Sequence, residues 1–258
     1  MSHLARRLAG GERIAEPVAL VVAHPDDEVV GLGSRLHLLD RLTLVHLTDG
    51  APFEMGDAQR AGFGTRAAYA AARAGELDAA LAALEVRPER RLAYGIPDQT
   101  LCEHLPELVD RLALDLRGCA AVFTHAYEGG HPDHDAAALC VQAACARLGG
   151  EAPARWEFAG YFGRDGVLQA NRFHPDPTAP ETGVTLTADE RRRKVRAFAA
   201  HASQAPVLAN FPPEREAWRP APAYDFARPP PPGEAHYDRY GWELTSARWR
   251  ERAVAAGL

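Results

Sequence analysis

Pro17-Val18-Ala19-Leu20-Val21-Val22-Ala23 runs straight into His24-Pro25-Asp26-Asp27-Glu28. The first seven residues are nearly all apolar and rich in valine, as a strand buried on both faces of a parallel sheet is. The next five are imidazole and carboxylate around one proline. The pattern occurs twice. Ala120-Ala121-Val122-Phe123-Thr124-His125 reads as another buried strand, and a short loop, Ala126-Tyr127-Glu128-Gly129-Gly130, leads to His131-Pro132-Asp133-His134-Asp135. Two clusters of imidazoles and carboxylates at strand ends are the inventory for holding one divalent cation and activating water on it.

Strand-like and helix-like segments alternate outward from these junctions through the first 160 residues. Strands are expected at 17–23, 42–47, 91–96, 120–125 and 156–162, and helices at 28–39, 66–84, 103–116 and 135–148. Such alternation builds right-handed βαβ units, so the fold class is α/β, a Rossmann-like doubly wound and mostly parallel sheet. With core order 3-2-1-4-5, strands 1 and 4 are neighbours where the winding direction reverses. Ligands bind beyond the carboxyl ends of strands at that switch point. Strand order alone thus brings the two clusters into one site. Thr48-Asp49-Gly50 and Pro97-Asp98-Gln99 are expected on its rim.

The residue types suggest roles. A catalytic zinc site keeps three protein ligands and leaves one position for water. His24 and Asp27 sit three residues apart across a strand-to-helix turn, and His134 supplies a third ligand. Asp26, beside a ligand yet free of the cation, is the candidate general base. His131 is left to stabilise an oxyanion or protonate a leaving amine, with Asp133 orienting it. Zn2+ suits this set, and Fe2+ and similar divalent ions suit a His/His/Asp set too. The competing reading makes His-Pro-Asp a turn and lets the carboxylates favour a helix N-terminus. Other residues stay open. Glu28 reads as satisfying backbone donors. His125 fits the site or a structural hydrogen bond equally, and His201 fits helix capping or support of the site. Trp218, Trp242 and Trp249 read as packing or oligomer contacts ahead of a sugar platform.

Bulk properties narrow the classes. The 258 residues carry a net charge of −6, with 47% hydrophobic and 25% charged residues, ordinary for a globular protein. Lys194 is the only lysine, and Arg191-Arg192-Arg193-Lys194 reads as a solvated helix face, so nucleic acid is not an expected partner. No window reaches membrane-spanning length, and Met1 to Arg7 lack the apolar stretch of a secretory signal. The four cysteines form no C-x-x-C pair. The expected location is the cytoplasm, the expected partner a small molecule, and self-association stays open.

Ala23-His24-Pro25-Asp26-Asp27-Glu28 with His131-Pro132-Asp133-His134 closely resembles the PIG-L, or LmbE-like, family of zinc-dependent N-acetylglucosaminyl deacetylases. Thr48-Asp49-Gly50, Arg73-x-x-Glu76-Leu77, Gly95-Ile96-Pro97-Asp98 and Lys194-x-x-Ala197-Phe198-x-x-His201-x-Ser203-Gln204 resemble further family segments. The resemblance implies hydrolysis of an N-acetyl group on an amino sugar or its conjugate. It implies His24, Asp27 and His134 as metal ligands, Asp26 as base, and His131 with Asp133 as the second catalytic pair. It further implies sugar contacts from Arg73 and Asp98. One departure is plain: some members carry a tyrosine where this chain has Gly129, and Tyr127 is the nearest substitute in sequence. A single domain over 1–258 is expected, with a core at 17–204 and an extension at 205–258 whose stretch 212–233 reads as surface loop. Two alternatives are a metal-stabilised binding protein and a phosphohydrolase of the all-helical HD type, suggested by His134-Asp135.

Overall fold

A computed structural model of the protein describes residues 3–258; Met1 and Ser2 of the N-terminal stretch lie outside it. In chain order the elements are α1 (His3–Ala9), β1 (Ile14–Val22), α2 (Asp27–Leu32), β2 (Leu39–Pro52), α3 (Gly56–Arg60), α4 (Arg66–Ala83), β3 (Arg90–Asp98), α5 (Leu105–Asp115), β4 (Ala121–His125), α6 (Pro132–Leu148), β5 (Ala154–Phe158), β6 (Tyr161–Arg164), β7 (Val167–Ala170), β8 (Thr182–Thr185), α7 (Ala188–Ala200), α8 (Ala205–Leu208), β9 (Arg215–Pro220) and α9 (Ser246–Ala255). The main sheet runs β3-β2-β1-β4-β5-β9-β8. The expected order 3-2-1-4-5 is its parallel core, with Val18 opposite Leu42 on β2 and Leu20 opposite Phe123 on β4. This α/β sheet also removes the all-helical alternative.

β1 shows why the sheet is covered on both sides. Its side chains alternate with period two. Val18, Leu20 and Val22 join a core with Leu77 and Leu81 of α4 and Ala197 of α7. Ala19, Val21 and the following Ala23 join a second core with Leu108 and Leu112 of α5, Ala137 and Val141 of α6, and Trp249 of α9. Cys140 and Cys145 are buried in that second core, and Cys119 packs against it. No helix among the described residues is long and apolar enough to cross a membrane.

Three elements differ from expectation. The helix after β1 lasts only six residues, because tertiary partners take its last groups. Trp218 of β9 donates its indole N–H to Gly31 O at 3.0 Å, and Glu216 accepts from Ser34 N at 2.9 Å. Gly31 itself leaves room for the Phe158 ring, which a Cβ would meet at 2.6 Å. The expected strand at 156–162 is two strands, β5 in the main sheet and β6 in a hairpin with β7. Within 212–233, Arg215–Pro220 is not loop but a buried strand, antiparallel to β5 with Trp218 opposite Phe158. α7 opens with a capping box of Thr187 and Glu190.

Candidate metal centre and active site

The site lies beyond the carboxyl ends of β1 and β4. β1 delivers His24 and the first turn of α2, and β4 and its loop deliver the first turn of α6. His131 is the N-cap of α6, and its Nδ1 accepts from Asp133 N at 3.2 Å. His134 follows within that first turn. The helix therefore starts earlier than expected and carries the second motif on its N-terminus.

Three donor groups meet. His24 Nδ1 lies 3.3 Å from Asp27 Oδ2, His134 Nε2 lies 3.3 Å from Asp27 Oδ1, and the two imidazole nitrogens are 3.3 Å apart. Bonds of ~2.0–2.1 Å in tetrahedral array would separate neighbouring donors by about 3.3–3.4 Å. The donor set and its spacing therefore fit one divalent cation. His24, His131 and His134 also offer ring nitrogens within 4.8 Å of one another, and the same spacing holds for a carboxylate oxygen of Asp27 and ring nitrogens of His125 and His134. In the second group His125 is already engaged, because its Nε2 accepts from Ala23 N at 3.0 Å while its ring stacks on His134 at 3.9 Å. An imidazole accepting that bond is neutral, and burial pushes His125 down to about 3. His125 is the hydrogen-bonded histidine of the two readings left open.

The surrounding residues fix the ligands. Asp27 Oδ2 accepts from His24 N at 2.7 Å, which sets the turn. His24 Nε2 is 2.9 Å from Asp98 Oδ1 and 3.5 Å from Asp133 Oδ2. A carboxylate on the far nitrogen fixes the tautomer that leaves Nδ1 free for a cation. Burial opposes charge on His24, but Asp98, Asp133 and Asp27 outweigh it and raise its pKa. Burial likewise opposes charge on Asp98, and the His24 imidazole wins and holds it below the ordinary range.

Asp26 has φ 133°, a conformation rarely tolerated outside glycine. Its surroundings over-determine it. Its N–H donates to Glu28 Oε2 at 2.9 Å, and Arg73 reaches its Oδ2 at 2.9 Å. Arg73 also donates to Pro25 O at 2.7 Å and Gly50 O at 2.6 Å. Burial raises the Asp26 carboxyl to about 6 against the pull of Arg73. Glu28 in turn is 3.1 Å from His46 Nε2 and 3.5 Å from His201 Nε2. His201 is thus both the C-cap of α7 and a support beneath the Asp26 turn.

The hydrogen bonds of three further residues define their surroundings. Arg73 is 3% exposed, spends both terminal nitrogens on the protein and holds Asp26, and it lines the cavity. Asp98 faces the cavity but is bonded to His24. Asp133 does not orient His131 through its carboxylate, which accepts instead from Gln99 N at 2.6 Å and Leu101 N at 3.2 Å. Its backbone N–H does the orienting. Since His131 Nδ1 accepts that bond, its proton sits on Nε2, 3.7 Å from Asp98 Oδ1. Burial, with the charge of His24, holds His131 neutral.

The loop before His131 explains the departure at Gly129. Gly129 has φ +66°, and a Cβ there would lie 2.8 Å from Pro230 Cγ and 2.9 Å from Ala235 Cα. No tyrosine fits. Tyr127 does not replace it, because it is buried and its hydroxyl donates to Arg228 O at 2.8 Å. The neighbouring Glu128 accepts from His174 N at 2.6 Å and pairs with Arg219, which also bonds Glu157. One guanidinium serves two buried carboxylates, so burial raises Glu128 to about 8.

A cavity of about 520 Å3 opens over the three donors, and His24, Asp26, Asp27, Arg73, Asp98, His131 and His134 all line it. Residues that sequence reasoning did not place in the site complete it: Tyr161, Val207, Phe211 and Tyr240. Trp242, read as packing or an oligomer contact, lines it too. Tyr161 stands 5.3 Å from the His134 ring. These residues come from the hairpin, α8 and the tail, where no chemical motif marks them. Only the aromatic run Tyr237 to Trp242 gave a signal. A second cavity of about 600 Å3 adjoins the first and shares Tyr161, Phe211 and Tyr240 with it.

Residues 19–145 match the family model described as PIG-L: GlcNAc-PI de-N-acetylase. The resemblance read from the motifs is borne out. Among solved structures, the A40926 pseudoaglycone deacetylase Dbv21 aligns with TM-score 0.59 at 18% identity, over 80% of this chain and 97% of that one. N,N'-diacetylchitobiose deacetylase from Pyrococcus horikoshii aligns with TM-score 0.50 at 18% identity, over 74% and 71%. GalB, the 4-carboxy-2-hydroxymuconate hydratase from Pseudomonas putida KT2440, aligns with TM-score 0.50 at 19% identity, over 81% and 99%. At these identities the likeness is one of fold. No curated protein sequence matches the chain.

Proposed function

We propose that this chain, which carries a PIG-L domain across residues 19–145, removes the N-acetyl group of a small-molecule amine, an N-acetylated amino sugar or its conjugate. The observation that carries the reading is the triangle of His24, Asp27 and His134 donors at 3.3 Å, with Asp26 lining the same cavity. His24, Asp27 and His134 would hold a divalent cation, Zn2+ first among the choices. Such a cation, when bound, lowers the pKa of water and polarises an amide carbonyl.

The protein's own groups do the rest. Asp26 is no member of the triangle, and its pKa near 6 suits a base working near neutrality. It accepts the proton of the attacking water. The amide carbon becomes tetrahedral and its oxygen gains negative charge. His131 donates its Nε2–H to that oxygen, as a neutral imidazole can. Asp26 then returns the proton to the nitrogen as the C–N bond breaks, giving acetate and the free amine. Arg73 keeps Asp26 ionised and aimed. Four free thiols fit a reducing compartment, and we place the protein in the cytoplasm.

The test is acetate release across N-acetyl glycosides, conjugates and peptidic amides, with metal analysis on the same sample. Asp26→Asn should keep the metal and lose most turnover. His134→Ala should lose the metal on dialysis. Full turnover in the first variant removes Asp26 as base, and undiminished metal in the second removes His134 as ligand. Metal-dependent stability without acetate release from any member of the panel would favour the binding-protein reading.

A further inference from the structure

Three tryptophans of the C-terminal region differ in how they are used. Trp218 and Trp249 are fully buried, and their indole N–H groups donate to Gly31 O and Pro132 O, each at 3.0 Å. Those are core tryptophans, polar edge satisfied. Trp242 is half-buried and makes no hydrogen bond among the described residues. It lines the cavity over the donor triangle. Its ring lies 5.4 Å from the His131 ring at 75°, and 4.9 Å from Tyr240 at 41°.

The tail that carries the pair is fastened on both sides. His236 N donates to Gly129 O at 2.6 Å, and Tyr237 OH donates to Asp135 Oδ2 at 3.3 Å. After the pair, Ser246 donates to Asp238 through N and Oγ, both at 2.6 Å. Both rings are therefore presented on a frame tied to the first turn of α6. They also lie outside the stretch matched by the family, 19–145.

We propose that Trp242, with Tyr240 beside it, is the wall that recognises the ring of a hexosamine, stacking on the C–H face of the pyranose while the acylamino group reaches the donor triangle. This rests on the deacetylase reading above. A pyranose has an apolar face and a polar rim. An aromatic face removes the former from water and leaves the hydroxyls free to bond, and the indole N–H supplies one donor at the edge. The contact between Trp242 and His131 sets the stacked ring next to the group that meets the carbonyl oxygen.

The test uses the full-length, metal-loaded protein, two substrates and two variants. Methyl N-acetyl-β-glucosaminide offers a ring, and N-acetylethanolamine does not. Trp242→Ala should raise KM for the glycoside about tenfold and lower the ratio of kcat/KM, glycoside over acyclic amide, by a similar factor. Trp242→Phe, which keeps an apolar ring at lower risk to folding, should recover part of that ratio. Titration with glucosamine should change tryptophan fluorescence in the wild type, and Trp242→Phe should abolish the change. An unaltered substrate ratio in Trp242→Ala overturns the proposal and leaves Trp242 as a packing partner of His131. If the wild type cleaves neither substrate, nor any member of the wider panel, the deacetylase reading falls. The titration then decides alone: a saturable, Trp242-dependent signal supports the wall, and its absence overturns it.

Discussion

Asp98→Asn separates two roles for one carboxylate. The family resemblance makes Asp98 a sugar contact. The structure ties its Oδ1 to His24 Nε2 at 2.9 Å, with both side chains buried. Removing such an outer partner costs about 10–100-fold in metal affinity. Asn keeps an acceptor for the imidazole N–H and loses only the charge, so the lower end applies: about tenfold, or ~1.4 kcal/mol. At saturating metal the stabilisation gained on binding shrinks by that same amount, and the metal-induced rise in Tm should shrink by about 3–5 °C. Competition with a chelator of known affinity gives Kd directly, and thermal melts with and without Zn2+ give the second reading. KM for an N-acetyl glycoside, measured at saturating metal, should change little. Unchanged Kd with a raised KM would return Asp98 to the substrate and refute the reasoning from His24.

Glu128→Gln addresses stability against pH. A buried carboxyl whose folded pKa is about 8 against an ordinary 4.5 binds its proton more tightly when folded. Its stabilising contribution is complete below pH 4.5 and declines until about pH 8, with a slope of up to ~1.4 kcal/mol per pH unit. Denaturant unfolding at pH 5 to 8 should therefore show a shallower decline in the variant, and equal slopes would exclude the group. Gly129→Ala forces a Cβ against Pro230 and Ala235 at positive φ, and should cost about 2–4 kcal/mol of unfolding free energy. A loss below ~0.5 kcal/mol would mean that the tail gives way freely.

The parallel core was legible because its signals are local. β1 and β4 read as apolar runs, and α4 was placed at 66–84 against an observed Arg66–Ala83. The capping box at Thr187 needs only four residues to be seen. Strand order then predicted that His24 and His134 share a site, and their nitrogens lie 3.3 Å apart. What stayed hidden depends on distant partners. β9 is short, flanked by prolines, and becomes a strand because β5 offers an unpaired edge. α2 stops early because Trp218 and Glu216, nearly 190 residues away, capture its last turn. The roles of Arg73, Asp98 and Asp133 turned on which hydrogen bond each forms, and a motif fixes position, not bonding. Tyr161, Tyr240 and Trp242 belong to the site only through the way the tail and hairpin lie over it.

His24 and His134 are 110 residues apart, yet their ring nitrogens nearly touch. An ion gripping both would act as a clasp across that long span of polypeptide, held only while the chain is folded, so that its binding free energy adds to the hold of the fold. Chelation would then do two kinds of harm, silencing the chemistry and loosening the hold of the first strand on the fourth. Heat resistance measured on a stripped sample would describe a weaker molecule than the one that works.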